Sequence, residues 1–118
     1  MQTPTTSKPP RPVAIRIINL DYDILWRNRV WYEDTKCFGR CDNNEQEIEI
    51  YEDLKPSKMA DTFLHEVMHA VYCNMGLTGK RRREETVVNQ LATGLTNVWR
   101  DNPAVFAWWA ALLSGGGR

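Results

Sequence analysis

FLHEVMHAVY, residues 63–72, holds both histidines of the chain, His65 and His69, with Glu66 directly after the first. Apolar side chains recur around them at helical intervals, at Met59, Phe63, Leu64, Val67, Met68, Val71, Tyr72 and Met75. That spacing predicts an amphipathic helix. It opens at Pro56-Ser57, with Ser57 as N-cap, and stops at Gly76. Residues four apart on a helix are offset by about 40° around the axis and one turn along it, so His65 and His69 project from one face and can reach one ion. Zinc takes imidazole nitrogen readily, and two histidines plus one further protein ligand leave a fourth position for water. Glu66 can aim its carboxylate at that water, which is the mechanical content of H-E-x-x-H. Against this stands a pair of buried, satisfied histidines with Glu66 in solvent. Residue type, order and spacing together favour the metal.

A third ligand has to come from elsewhere. A second helix is expected from about Arg83 to Arg100, with Val87, Val88, Leu91, Leu95 and Val98 on one face. Two antiparallel helices joined by a short connector bring its first turns near the His65–His69 turn. Glu84 and Glu85 are the candidates. Glu84 lies at the centre of the apolar stripe on a helical wheel. Glu85 lies on its flank, on the same side as Asn89, which can hold the free ring nitrogen of a ligand histidine. Both acids also suit a helix N-terminus, where the dipole favours negative charge. Cys73, one turn beyond His69, is either a fourth ligand that closes the site or a small buried hydrophobe, and the second is favoured.

Upstream, residues 1–12 carry four of the six prolines and are expected to form a flexible tail. In VAIRIINL, Val13, Ile15 and Ile17 alternate as a first strand. Residues 24–42 are rich in strand formers, among them Trp26, Val30, Trp31, Tyr32 and Phe38, with Asp34-Thr35 as a turn, so one or two strands are expected there. A hairpin is expected over residues 36–52, turning at Asn43-Asn44, its second strand EIEIY half-exposed and forming an edge around Glu45–Tyr51 that an extended peptide can join. Downstream, Asn102 and Pro103 suit the cap and first position of a last, almost wholly apolar helix ending at Leu113. Residues 114–118 should fray.

At 118 residues the chain fits one domain, residues 13–113, with 42% hydrophobic and 25% charged residues and no formal net charge. The charge balance points neither to nucleic acid nor to anionic lipid, and the basic run Lys80–Arg83 is met at once by two glutamates. Three cysteines, Cys37, Cys41 and Cys73, are too few and odd in number for a disulfide scaffold. With no apolar leader and no run long enough to span a bilayer, a cytoplasmic protein is expected. Cys37 and Cys41 have no second pair to complete a zinc site and are expected to pack. Trp108 and Trp109 are expected to cover the core, with an oligomer contact as the other use of that helix.

HEVMHAVY followed by EETVVNQLATGLTNVWRDNP resembles small zincin-like metallopeptidases of phages and prophages, relatives of the gluzincins and of ImmA/IrrE-type peptidases. GRCDNNEQEIEIYEDL is similar to the hairpin that those proteins place before the active-site helix. The resemblance covers roughly residues 36–103. It implies an α+β zincin-like fold, a small antiparallel sheet packed on the active-site helix with two further helices. It implies Zn2+ held by His65, His69 and Glu85, since Glu85, Val88 and Asn89 match the family's E-x-x-V-N spacing and Glu84, the runner-up, does not. It also implies Glu66 as general base, a peptide or protein substrate, and the host cytoplasm as the setting. The alternative is a non-catalytic, metal-stabilised binding module.

Overall fold

The computed structural model describes residues 9–76 and 84–114, with the side chains of Glu84, Glu85, Val88 and Asn89 outside that description. The expected tail over residues 1–8, the basic connector over 77–83 and the expected fraying over 115–118 also lie outside it.

Strand β1 (Ala14–Ile17) and strand β2 (Leu20–Arg27) form a first antiparallel pair. Helix α1 (Arg29–Thr35) follows, then the hairpin of β3 (Gly39–Asp42) and β4 (Glu47–Tyr51). Three helices complete the chain: α2 (Pro56–Asn74), α3 (Glu84–Asp101) and α4 (Pro103–Leu113). The fold is α+β. The sheet runs β1-β2-β4-β3, and β4 is parallel to β2. It is therefore mixed, not antiparallel throughout as expected, because the chain crosses from β2 through α1 and β3 before β4 returns beside β2.

One face of the sheet is apolar. Ile15, Ile17, Tyr22, Ile24, Ile48 and Ile50 line it and are buried. Met59, Phe63, Val67, Ala70 and Val71 of α2 pack onto that face, with Val98, Val105 and Trp108 from the last two helices. Each large apolar side chain buried in this way contributes about 1.5–3 kcal/mol. Val13, expected on the same face, is 72% exposed because it precedes the strand. Next to Pro9 and Pro10, the last residues of the expected tail are held. Trp26 Nε1 donates to the Pro12 carbonyl at 2.9 Å, and the Arg11 guanidinium lies 4.6 Å from the Trp26 ring centre.

Three other elements differ from expectation. Val30, Trp31 and Tyr32 form a helix, not a strand: Asn28 caps it by accepting from Trp31 N at 3.1 Å, and Lys36 ends it in the left-handed region. A local cap here outweighs side-chain strand preference. Strand β4 lies inside the sheet and is buried on both faces, so the free edge at this end is β3. Glu49 is covered by Arg27 and Arg40, and Tyr51 stacks under Tyr32 at 4.7 Å. At the start of α2 the N-cap is Lys55, Pro56 takes the first helical position and Ser57 lies inside the helix.

Gly76 has φ +72° and follows the end of α2, as a helix stop requires. Helix α3 crosses close to α2 at Gly94, where any Cβ would run into Val71. Asn102 and Pro103 stand where expected, but the Asn102 side chain does not cap α4. Its amide accepts from Arg16 N at 2.9 Å and donates to Arg16 O at 2.8 Å and Val98 O at 2.7 Å, closing the outer edge of β1. Trp108 is buried between Trp26 and Phe63, and Trp109 donates to Ala60 O at 3.0 Å, so both indoles cover the core. Among the described residues no helix is long and apolar enough to cross a membrane.

Candidate metal centre

The middle of α2 is anchored by Phe63, Val67, Ala70 and Val71, all fully buried. This fixes the helix's rotation and leaves the opposite side, His65 and His69, exposed. The two Nε2 atoms converge to 3.1 Å, and the rings stand at 81° to each other. Two nitrogens each 2.0–2.1 Å from a tetrahedral zinc stand about 3.3 Å apart. The pair thus fits one ion without rearrangement of the helix.

Glu66 is turned about 100° from His65 around the axis, toward β3. It is 6% exposed. Burial pushes its carboxyl above the ordinary value, and the imidazoles of His65 and His69 pull it part of the way back. A carboxylate raised toward neutrality is a better proton acceptor at neutral pH than one in water. It lies in a cleft of about 250 Å³ between β3 and α2, lined by Phe38, Gly39, Lys58, Asp61, Thr62 and His65. On the other side of the histidines a gap of about 290 Å³ separates α2 from α3, lined by His65, Met68, His69, Tyr72 and Leu91. The imidazole pair is the ridge between the two.

The third-ligand candidates Glu85 and Glu84, and Asn89, have side chains outside the described residues. The backbone of α3 begins at Glu84, and Leu91 of the same helix faces the gap that both histidines line. Among the described residues no three His, Cys, Asp or Glu side chains gather as a metal cluster, so Cys73 does not join the histidine pair. Cys73 is a half-buried free thiol near Tyr22 and Cys41; burial is the main cause that raises the Tyr22 hydroxyl above its ordinary value, and the two thiols add to it. Cys41 packs against the core, and burial pushes its thiol up to about 12, so it stays protonated. Cys37 donates to Thr35 O at 3.4 Å. Tyr72 lines the gap beside the histidines, whereas Tyr51 lies across the sheet against Tyr32.

Sequence reasoning passed over Gly39, Thr62, Phe38 and Lys58 as parts of the site. The available signal was Gly39, a glycine inside a strand pattern, which often marks a close approach of backbone to something else. Here that something is Glu66: a Cβ at position 39 would lie 3.0 Å from its Oε2. Comparison with family models, with curated proteins and with solved structures finds no match for the chain.

Proposed function

We propose that this chain is a zinc-dependent peptidase of zincin-like architecture that hydrolyses peptide bonds with Glu66 as general base. The observation that carries this is the convergence of His65 and His69 Nε2 to 3.1 Å with a buried carboxylate on the next residue, facing an open cleft. His65 and His69 would hold the ion, with Glu85 of α3 as the third ligand that the family resemblance implies and Glu84 as runner-up. Bound zinc supplies a Lewis acid that makes water a nucleophile near neutral pH.

Glu66 takes the proton of the attacking water and returns it to the leaving amine. Its burial keeps bulk water from competing for that proton. The peptide is held by the free edge of β3. Phe38 O accepts from Tyr51 N at 2.8 Å, so by the alternation of an antiparallel ladder Arg40 and Asp42 pair with β4. Gly39 and Cys41 then point their N–H and C=O groups outward, where an extended chain can add as a further strand. Such a chain passes directly over Glu66. The half-buried free cysteines suit a reducing compartment, in keeping with a cytoplasmic setting.

Glu66→Gln tests the role. It should retain zinc at wild-type stoichiometry and lose at least about 10²–10⁴-fold in kcat on a peptide pool. Undiminished cleavage by the variant rejects Glu66 as base. Bound zinc with no cleavage by the wild type makes the chain the non-catalytic module instead.

A further inference from the structure

Gly39 sits in β3 with no positive φ among the described torsions, so no turn or left-handed backbone demands a glycine there. In a strand glycine is less stable than alanine, since it costs more backbone entropy and packs no side chain. The reason for it lies across the cleft. A Cβ at this position would stand 2.8 Å from Thr62 Cγ2, 3.0 Å from Glu66 Oε2 and 3.1 Å from Glu66 Cγ. Both Thr62 and Glu66 are buried polar residues, and β3 is what covers them from this side.

We propose that Gly39 is a positioning residue for the reaction: the missing side chain lets the free sheet edge close onto Glu66 and hold its carboxylate beside His65. This rests on the peptidase reading above and adds to it the residue that sets the distance between base and substrate. The same residue presents its outward N–H and C=O to the extended peptide. Base and peptide backbone are thus held by one point of the edge strand. A methyl group here meets the Thr62 methyl first and then the Glu66 side chain at both its Cγ and its carboxylate oxygen, so Glu66 must give along its length and not only at its tip. Alanine keeps the backbone hydrogen-bonding groups, so peptide affinity should survive while alignment does not.

The test separates alignment from packing. Gly39→Ala, Thr62→Ser and the double variant are compared with wild type in full-length, zinc-loaded protein. Thr62→Ser removes the methyl carbon nearest the new Cβ, so the double variant should melt with wild type. Its kcat should stay about 10-fold down, because the contacts with Glu66 remain and move the base by a fraction of the roughly 1 Å misplacement that costs about 100-fold, with KM little changed. The carboxyl carbon of Glu66, identified in a ¹³C spectrum by its loss in Glu66→Gln, should be displaced in Gly39→Ala and in the double variant, with and without zinc. Recovery of kcat together with stability in the double variant, or an unmoved Glu66 resonance in both, overturns the proposal. If wild type holds zinc and cleaves no peptide, the peptidase reading fails, and the resonance alone decides whether Gly39 positions Glu66.

Discussion

Two carboxylates of this chain are equally buried, Glu49 and Glu66 at 6% exposure each, and their surroundings drive them apart. Glu66 faces imidazoles that only partly offset its burial, and its carboxyl is raised. For Glu49, burial raises the carboxyl, but Arg40 Nε at 2.9 Å and Arg27 Nε at 2.8 Å more than reverse this and hold it below the ordinary value. The same burial thus gives opposite shifts, because Glu49 is paired with two guanidinium groups and Glu66 with none. Because the folded-state value of Glu49 is depressed, its stabilisation is present above the unfolded value of about 4.3 and is lost as pH falls through the folded one. Glu49→Gln should therefore cost about 1–3 kcal/mol at pH 7, less than breaking a fully buried pair because both arginines are partly exposed and screened. Denaturant unfolding at pH 7 and pH 3 measures this: the gap from wild type should narrow at the lower pH, and a constant gap contradicts the ion-pair account. The closeness of His65 and His69 was legible because the two lie one helical turn apart. The partners of Glu49 were not, since Arg27 reaches it across a parallel strand pair 22 residues away in sequence.

Elements were legible where one periodicity dominated. Helix α2 and the limits of α3 and α4 follow from apolar spacing and from Gly76 and Asn102-Pro103. Helix α1 was not, because Trp31 and Tyr32 favour strands in general and only the capping hydrogen bond of Asn28 decides otherwise. Nor was the burial of both faces of β4, since EIEIY alternates like a half-exposed strand until Arg27, Arg40 and Tyr32 cover its polar side. Asn102 shows how a cap position can serve another element: its amide substitutes for a neighbouring strand along Arg16. Asn102→Ala should leave those backbone groups and the Val98 carbonyl without that partner and cost about 0.5–1.5 kcal/mol, since water can reach the Arg16 groups. A lowered thermal midpoint together with faster hydrogen exchange at the Arg16 amide is the expected result. Unchanged exchange at that amide would show that β1 does not depend on the bridge.

At the scale of the molecule, an aromatic chain ties the parts together. Trp26 of β2 meets Trp108 of α4 edge-on at 5.6 Å, and Trp108 meets Phe63 of α2 at 5.1 Å. Phe63 is two residues before His65, so the packing that joins sheet to C-terminal helix also sets the rotation of the turn that carries the imidazoles. Strand order could not be read from the sequence, because a period-two pattern records which face is buried and not which strand lies alongside. The consequence for function is specific: the free edge beside Glu66 is β3, four residues long and opening on Gly39, and not the longer EIEIY strand. Central to the proposed function is an ion held by His65 and His69 of α2 together with a carboxylate from the start of α3. Elemental analysis of the purified chain beside His65→Ala, His69→Ala, Glu84→Ala and Glu85→Ala tests that most directly. One zinc per chain is expected in the wild type and in Glu84→Ala, none in either histidine variant, and a marked loss in Glu85→Ala. A wild type that holds no metal after equilibration with zinc, or histidine variants that keep it at full stoichiometry, would contradict the metal centre.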